Sequence, residues 1–398
     1  MAKILLISNG HGEDLSASLI GEKLKKYGHI IDAFPLVGIG KAYKNLGISI
    51  YGNVKEFTTG GLGYTSLYGR FTEIIQGQIF YLLARLLLLW RVAYKYDVIF
   101  VVGDVVPIIC AWTTGLPVIT YLVAYSSHYE GRLKMPWPCS YLLSSKKFLA
   151  IYTRDQFTAD DLSRYFSNVS FLGNPFMEPL LKNRVVVSNE FMRVGLLPGS
   201  RRPELDSNLS LILRVVEYLP FSNYQKQNIR LDMALVSSME ISILEKIVTK
   251  SGWLFSIDNS SNILIRKETK IIRIYYHSFE EIIQNSDVIL SMSGTAAEQA
   301  IGLAKPVVQL EGFGPQFTAS FAEAQRRLLG PTVFCANGKT GEDENIYQTS
   351  LLLMKLLEKS KYDNSFKRKC KEEALKRLGP PGGVTRIADA STCLINNI

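Results

Sequence analysis

A few short stretches of this chain carry the residue types that do chemistry. In "DVILSMSGTAAEQAIGLAKPVVQL", from Asp287 to Leu310, an apolar strand-like run gives way to Ser293-Gly294-Thr295 and then at once to a helix. A helix start leaves backbone N–H groups unpaired and adds the positive end of the helix dipole, so it suits a phosphate. Thr295 either caps the helix or donates its hydroxyl to that anion. Glu298, one turn in, is suited to accept from neighbouring hydroxyls such as the cis pair of a ribose; the plainer alternative is an N-cap followed by a solvated glutamate. "LLPGSRRPE", from Leu196 to Glu204, makes a second junction. There Pro198 and Gly199 turn the chain, Ser200 caps or binds, and Arg201 and Arg202 offer guanidinium forks for phosphate oxygens, with one of the pair expected to bridge to Glu204. Two such junctions favour a diphosphate, and neither has the G-x-G-x-x-G spacing of an ordinary dinucleotide site.

Nearer the N-terminus, "SNGHGED" sets Gly10, His11, Gly12, Glu13 and Asp14 in a loop that opens a helix, and "VVGDVVP" puts Asp104 at a strand end. Transfer to an alcohol requires a carboxylate or imidazole to take the acceptor's proton, a task open to Asp104 or His11. The alternative for Asp104 is a turn cap. His277, just before "SFEEII", either lines the base-binding side of a nucleotide pocket or packs there. The four histidines include no ligand-spaced pair, so no built-in metal site is expected.

These residues need a scaffold that brings loops together at strand ends. In the first half the strand Ile4 to Ile7 is followed by a loop at Asn9 to Gly12 and a helix from about Leu15 to Tyr27; "DAFPLVG", "DVIFVVGD" and "PVITYLV" follow as further buried strands. Apolar strands without strict alternation, separated by helices, predict a mostly parallel sheet covered on both faces, with ligands beyond the carboxyl ends. Gly10, Asp104 and Tyr125 would cluster there. The stretch Phe171 to Asn183 reads as a linker, and the pattern then restarts with strands in "FMRVGLLPG", "LDMALV", "IIRIYY", "VILSM" and "PVVQL", a long helix after Asp206 and a helix from Ala296 to Ile301. The fold class predicted is α/β, two doubly wound Rossmann-like domains facing across a cleft. A last helix after Gly383 is expected to cross back onto the first domain.

Bulk properties agree and set limits. A chain of 398 residues, 47% hydrophobic, can bury two cores. Its 45 Lys and Arg exceed its 36 Asp and Glu by nine, a surplus suited to an anionic partner. The basic residues are dispersed with no aromatic-basic platform, so nucleic acid is not an expected partner. Five scattered cysteines suit a reducing compartment and free thiols. The apolar run before Ser8 spans only about five residues, short of the core of a secretion signal. The run Ile79 to Trp90 is interrupted by Arg85 and falls short of the roughly 20 residues of a spanning helix. Two readings fit the wider stretch Ile74 to Trp90, flanked by Arg70, Arg85, Arg91 and Lys95. One is a core helix; the other is a helix in the interfacial layer of an anionic membrane, its arginines at lipid phosphates and Tyr68, Phe71, Phe80, Tyr81 and Trp90 at the headgroup level.

"LPGSRRPEL" (Leu197 to Leu205) and "SGTAAEQAIGLAKPVV" (Ser293 to Val308) resemble two signature segments of lipid-A-disaccharide synthase, a glycosyltransferase of the two-domain GT-B type. "FLGNPF" is similar to that family's F-V-G-H-P-L segment, and "GED-LSASLIGEKL" to its G-E-x-S-G-D-L opening. The order of segments agrees, and the nearest resemblance is to the cyanobacterial and plastid proteins related to that synthase. The resemblance implies an inverting transfer from a UDP-sugar, with N-acetylglucosamine or an acylated derivative as the sugar, to a lipid-linked acceptor by a cytoplasmic, peripherally membrane-associated enzyme without a cofactor. It assigns the acceptor side to residues 1–175, completed by 380–398, and the nucleotide-sugar side to residues 176–379. It implies that Ser293, Gly294, Thr295 and Glu298 hold the nucleotide, that Arg201 lies at the phosphates and that Asp104 is the base. The sequence departs from the family's pattern where G-I-D-x-P-D-F becomes G-D-V-V-P-I-I, where Asn174 replaces a histidine, and where Gly314-Pro315-Gln316 replaces a proline-glutamate-x-x-glutamine segment. The His11 loop also resembles the G-G-H loop of the transferase that makes peptidoglycan's lipid-linked disaccharide, which keeps His11 as a rival base. A sugar-nucleotide epimerase or hydrolase of the same fold, and a nucleotide-sugar-binding protein without catalysis, are the competing readings.

Overall fold

The computed structural model describes residues 1–52, 54, 78–133, 135–182, 190–201, 204–220, 228–313 and 319–398, with the side chains at 11, 78, 79, 130, 182 and 319–321 outside the description. Arg70, Tyr68, Phe71, the 74–77 part of the apolar stretch, Arg202 and Gly314 to Gln316 therefore lie outside the described residues, as does Asn183 of the expected linker.

The chain divides into two compact units, Met1–Glu178 with Leu378–Ile398, and Pro179–Arg377. The first unit is built on seven parallel strands: β1 (Lys3–Ser8), β2 (Ile30–Pro35), β3 (Ser49–Ile50), β4 (Val98–Gly103), β5 (Val118–Leu122), β6 (Phe148–Thr153) and β7 (Val169–Ser170), in the order β3-β2-β1-β4-β5-β6-β7. Successive residues of β1 enter different cores. Ile4 and Leu6 pack with Ala17, Ile20 and Leu24 of the His11–Lys26 helix and with Ile387 and Ala388 of the Gly383–Ile395 helix. Leu5 and Ile7 pack on the other face with Leu89, Val92 and Ile108. Burial on both faces is why these strands read as unbroken apolar runs.

The Gly383–Ile395 helix is fastened to this unit by close approach and by hydrogen bonds. A Cβ on Gly383 would stand 2.7 Å from the carbonyl carbon of Gly173, and Arg386 donates to the carbonyl of Leu172 at 2.7 Å. In the expected linker, Asn174 accepts the Phe176 N–H at 3.0 Å and caps a short 3-10 turn, Pro175–Met177.

The Gln78–Ala93 helix overturns one expectation. Arg85 does not reach outward to lipid phosphates: it is buried, donates to the carbonyls of Pro35 (2.7 Å) and Tyr51 (2.8 Å), and lies over the Phe34 ring at 3.8 Å. Those two carbonyls stand at the carboxyl ends of β2 and β3, and they and the ring replace the water a guanidinium would otherwise keep. The outward residues are Phe80, Leu83, Leu87, Trp90 and then Tyr94, a stripe at alternating spacings of three and four. Leu86 and Leu88 pack toward the core instead. Among the described residues no helix is long and apolar enough to cross a membrane.

The second unit holds β8 (Met192–Leu197), β9 (Ile229–Leu235), β10 (Leu254–Ile257), β11 (Ile263–Lys267), β12 (Lys270–Tyr276), β13 (Val288–Ser291), β14 (Val307–Gln309) and β15 (Val333–Cys335). Their order is β10-β11-β12-β9-β8-β13-β14-β15. Six strands run parallel, while β10, β11 and β12 form antiparallel pairs at one edge. The sheet is thus mixed, and the doubly wound pattern holds for its parallel part. The hairpin between β11 and β12 is a two-residue turn in which Glu268 takes φ +53°. The Glu204–Glu217 and Asp343–Tyr362 helices bury Leu205, Leu209, Ile212, Val216, Leu353 and Leu357 against one face of this sheet.

Candidate functional site

In a doubly wound sheet the opening lies where neighbouring strands send their connections to opposite sides. In the second unit that point falls between β8 and β13, paired in register from Val194 with Val288 to Leu197 with Ser291. Past their ends come Pro198 to Arg201 and Met292 to Thr295, so both predicted junctions meet at one place in one unit. Gly199 takes φ +100°, a conformation that strains any larger residue, and a Cβ there would stand 3.3 Å from the Met292 carbonyl oxygen, so the two turns pass close together.

The helix that follows β13 is Gly294–Gly302, and its N-cap is Ser293, extended at φ −141° and with no side-chain capping bond. Thr295 is therefore not the cap. It lies in the first turn of the helix and is exposed. The Ser291 hydroxyl accepts the Ser293 N–H at 3.1 Å and donates to the Ser293 carbonyl at 3.0 Å, fixing the turn from below. The N–H groups of the first helical turn then face the sheet's carboxyl end without intrahelical partners. Glu298 is half-buried one turn in, between the buried Ala297 and Gln299. Ser200 and Arg201 are exposed on the neighbouring turn, whose Arg201 carbonyl accepts the Leu205 N–H at 2.8 Å.

His277 lies apart from these two turns. It follows β12, two strands from β8, exposed and at φ +63°. Asn208 and Gly312, in contrast, are at the site and carried no motif signal. Asn208 donates from Nδ2 to the Pro198 carbonyl at 2.9 Å, and a Cβ on Gly312 would stand 2.8 Å from its Oδ1.

The first unit has its own switch point, between β1 and β4, and it collects carboxylates. The helix after β1 begins at His11, four residues earlier than expected, so Gly12, Glu13 and Asp14 belong to its first turn and not to a loop. Acidic residues are favoured there by the helix dipole. Glu13 Oε2 turns back to accept the Asn9 N–H at 2.7 Å, while Asp14 accepts the Ser8 hydroxyl at 2.6 Å, itself 2.6 Å from the Tyr43 hydroxyl. Gly10 is the N-cap, with open space around it. Asp104 caps the Val105–Trp112 helix through the Val106 N–H at 3.0 Å, and the Tyr125 hydroxyl accepts the neighbouring Val105 N–H at 3.2 Å. The cap reading of Asp104 is thus realised, and the carboxylate also stands among the groups expected to cluster there.

Glu13 and Asp104 converge on Gly103, at φ +152°, where a Cβ would stand 2.6 Å from Glu13 Oε2. Burial pushes the Asp104 carboxyl above the ordinary range, against the opposing effect of the Val106 N–H and Asn9. Burial pushes Glu13 well above it, and the negative charge of Asp104 adds to that push. Both carboxyls thus hold their protons more tightly than usual, and a negative charge on Asp104 strengthens that hold at Glu13. Sequence reasoning named both residues without placing them together, since the contact spans β1 and β4. Among the described residues no group of three or more His, Cys, Asp or Glu is arranged to hold a metal ion.

No family model matches the chain, and no curated protein matches it either. Solved structures do. The calicheamicin glycosyltransferase CalG4 is similar over 100% of this chain and 99% of its own, at TM-score 0.60 and 13% identity. The Staphylococcus aureus MnaA–UDP structure is similar over 100% and 98%, at TM-score 0.56 and 15% identity. UDP-GlcNAc 2-epimerase from Neisseria meningitidis, bound to UDP-GlcNAc, is similar over 100% of both chains, at TM-score 0.52 and 15% identity. Each of the two units thus repeats the α/β plan of these proteins, and the chain has the GT-B fold that glycosyltransferases and UDP-GlcNAc 2-epimerases share.

Proposed function

We propose that this protein is a UDP-sugar-dependent glycosyltransferase whose acceptor is lipid-linked. The observation that carries the reading is the meeting of the Pro198–Arg201 and Ser293–Thr295 turns at the β8/β13 switch point, with Glu298 one turn behind. Two turns that each open a helix suit a diphosphate, and a carboxylate at that spacing suits the ribose hydroxyls. The MnaA and N. meningitidis structures carry UDP and UDP-GlcNAc, which supports the same ligand class here.

The chemistry follows from the parts. The acceptor hydroxyl attacks the anomeric carbon as Asp104 takes its proton, with His11 as the rival base. The bond from that carbon to the diphosphate oxygen breaks, UDP leaves with the electron pair, and configuration inverts. Hydrogen bonds from the Ser293–Thr295 turn and the charge of Arg201 stabilise the departing diphosphate. The UDP-sugar is already an activated donor, so the transfer draws on no cofactor. The lipid acceptor is favoured by the likeness of "LPGSRRPEL" and "SGTAAEQAIGLAKPVV" to lipid-A-disaccharide synthase and by the outward apolar stripe of the Gln78–Ala93 helix, which suits peripheral attachment to an anionic membrane with Arg91 and Lys95 exposed near its end.

Epimerisation of a UDP-sugar is the second reading, favoured by the Glu13–Asp104 pair, since two carboxyls of unlike affinity for a proton suit removal and return at carbon. Incubation with labelled UDP-sugars and total lipid extract separates the readings. Label in the lipid phase supports transfer, an altered sugar still on UDP supports epimerisation, and free sugar marks hydrolysis. Calorimetry on Glu298→Ala tests the pocket: UDP binding should weaken by about 1.5–3 kcal/mol, the scale for a lost hydrogen bond to a charged group. Wild-type affinity in that variant refutes the ribose assignment.

A further inference from the structure

We infer that Asn208 is a positioning residue for the anion-binding turn: by holding the Pro198 carbonyl, its amide aims the Gly199 N–H outward toward a phosphate. The inference rests on the reading of this pair of turns as a diphosphate site.

Asn208 lies on the Glu204–Glu217 helix, among Leu205, Leu209, Leu211 and Ile212, and is 4% exposed. An amide buried there carries a cost unless it is bonded. Its Nδ2 donates to the Pro198 carbonyl at 2.9 Å, while its Oδ1 has no hydrogen-bond partner among the described residues. An apolar side chain of the same shape would fill the space without stranding an oxygen, so packing alone does not account for the amide. The bond to Pro198 does.

Its consequence follows from the planarity of the peptide. In a trans peptide the C=O and the next N–H point in opposite directions. With the Pro198 carbonyl drawn inward to the helix, the Gly199 N–H must point away from it. Among the described residues nothing accepts that N–H. Gly199 is held at φ +100°, and a Cβ there would stand 3.3 Å from the Met292 carbonyl oxygen, so the turn is shaped around a glycine. The same amide also abuts Gly312, where a Cβ would meet Asn208 Oδ1 at 2.8 Å and Met292 Cε at 3.2 Å. One side chain thereby stands between the chain segments that leave β8 and β14.

Calorimetric titration of the full chain with UDP and, separately, with uridine tests this in Asn208→Asp, which keeps the shape and replaces the donor by an acceptor facing the Pro198 carbonyl. UDP affinity should fall by about tenfold to a hundredfold, the equivalent of one hydrogen bond to a charged group, while uridine affinity stays at the wild-type value because only the phosphates meet this turn. Unchanged UDP affinity, or an equal loss for UDP and uridine, overturns the inference. Wild-type protein that binds neither ligand overturns the diphosphate reading itself, and is told apart by appearing without any substitution. Should the variant not fold, the wild-type Gly199 amide resonance decides: a downfield shift on adding UDP but not uridine supports the assignment, and no shift refutes it.

Discussion

Replacing Gly103 by alanine is the sharpest test of the carboxylate pair in the first unit. The added Cβ would stand 2.6 Å from Glu13 Oε2 and 2.8 Å from Pro107 Cγ, on a backbone at φ +152°. Overpacking of this kind costs about 1–3 kcal/mol, and a strained backbone dihedral costs a similar amount. The overlap with Glu13 can be relieved only if its carboxyl swings away, which sacrifices the 2.7 Å bond from the Asn9 N–H. A net loss of about 3 kcal/mol corresponds to a fall in Tm of roughly 6–12 °C for a unit of this size. Differential scanning calorimetry reads it, and UDP should not restore the shifted transition, because the proposed nucleotide site belongs to the other unit. Glu13→Ala removes the group that the new methyl meets. Destabilisation in the double variant should therefore fall short of the sum of the singles by about 1 kcal/mol or more. Strict additivity would show that Glu13 does not sit against Gly103, and the paired-carboxylate reading would fall with it.

The remaining expectations concern protons, turnover and lipid. Because the Glu13 carboxyl is raised above its ordinary value, its contribution to stability is fully present below the usual carboxylate range and is lost as pH rises through the raised folded value. Relative to wild type, Glu13→Gln should gain stability on going from acid toward neutral pH, and thermal unfolding curves that stay parallel across that range would refute the assignment. Asp104→Asn should lower turnover by roughly 10²-fold to 10⁴-fold with UDP affinity nearly unchanged; if His11→Ala abolishes turnover and Asp104→Asn does not, the base is His11. Sedimentation with anionic vesicles at low salt should retain wild type and lose Leu83→Glu with Leu87→Glu. Wild type that ignores such vesicles refutes attachment, and circular dichroism confirms that the exposed substitutions leave the fold intact.

Much of the fold was legible because the signals were local. Strands such as Val98–Gly103 and Val288–Ser291 are buried on both sides and so read as apolar runs, and the Gly383 helix start announces itself by its glycines. The edge strands β10 and β11 were not legible: Leu254–Ile257 has no strict alternation, and in the tight turn from β11 into β12 the left-handed position is held by Glu268, a residue with no turn preference. The start of the first helix was misjudged because "GHGED" holds two glycines, which read as loop, whereas Gly10 alone serves the cap and the acids of the first turn extend the helix to His11. At the candidate sites the residue types were legible and their partners were not. The motif at Ser293 to Glu298 lies within one junction, but Asn208 reaches Pro198 only through the packing of a helix on a sheet, and Glu13 meets Asp104 only because β1 and β4 are neighbours.

Arg85 shows how a single buried charge reverses the meaning of an amphipathic pattern. A helix with arginines among leucines reads as one that turns its cations to lipid headgroups and its apolar side to the acyl chains. Here the cation is on the inside. Burial pulls the Arg85 guanidinium's proton affinity down, yet two carbonyls and the Phe34 ring receive it, so the charge is retained at a fixed point against the sheet. That anchor sets the rotation of the helix about its own axis. Leu89 and Val92, one turn and two turns onward on the same side, are committed to the core, and the stripe that remains outward is Phe80, Leu83, Leu87, Trp90 and Tyr94. Phe80 is 80% exposed and Tyr94 77%, more than a lone surface aromatic needs to account for, and they bracket the leucines as aromatics do at a membrane's headgroup level. The apolar face is thus turned to the surroundings by the very residue expected to carry an electrostatic attraction; in the proposed attachment that role would pass to the exposed Arg91 and Lys95. Attachment should accordingly depend more on the apolar stripe than on ionic strength.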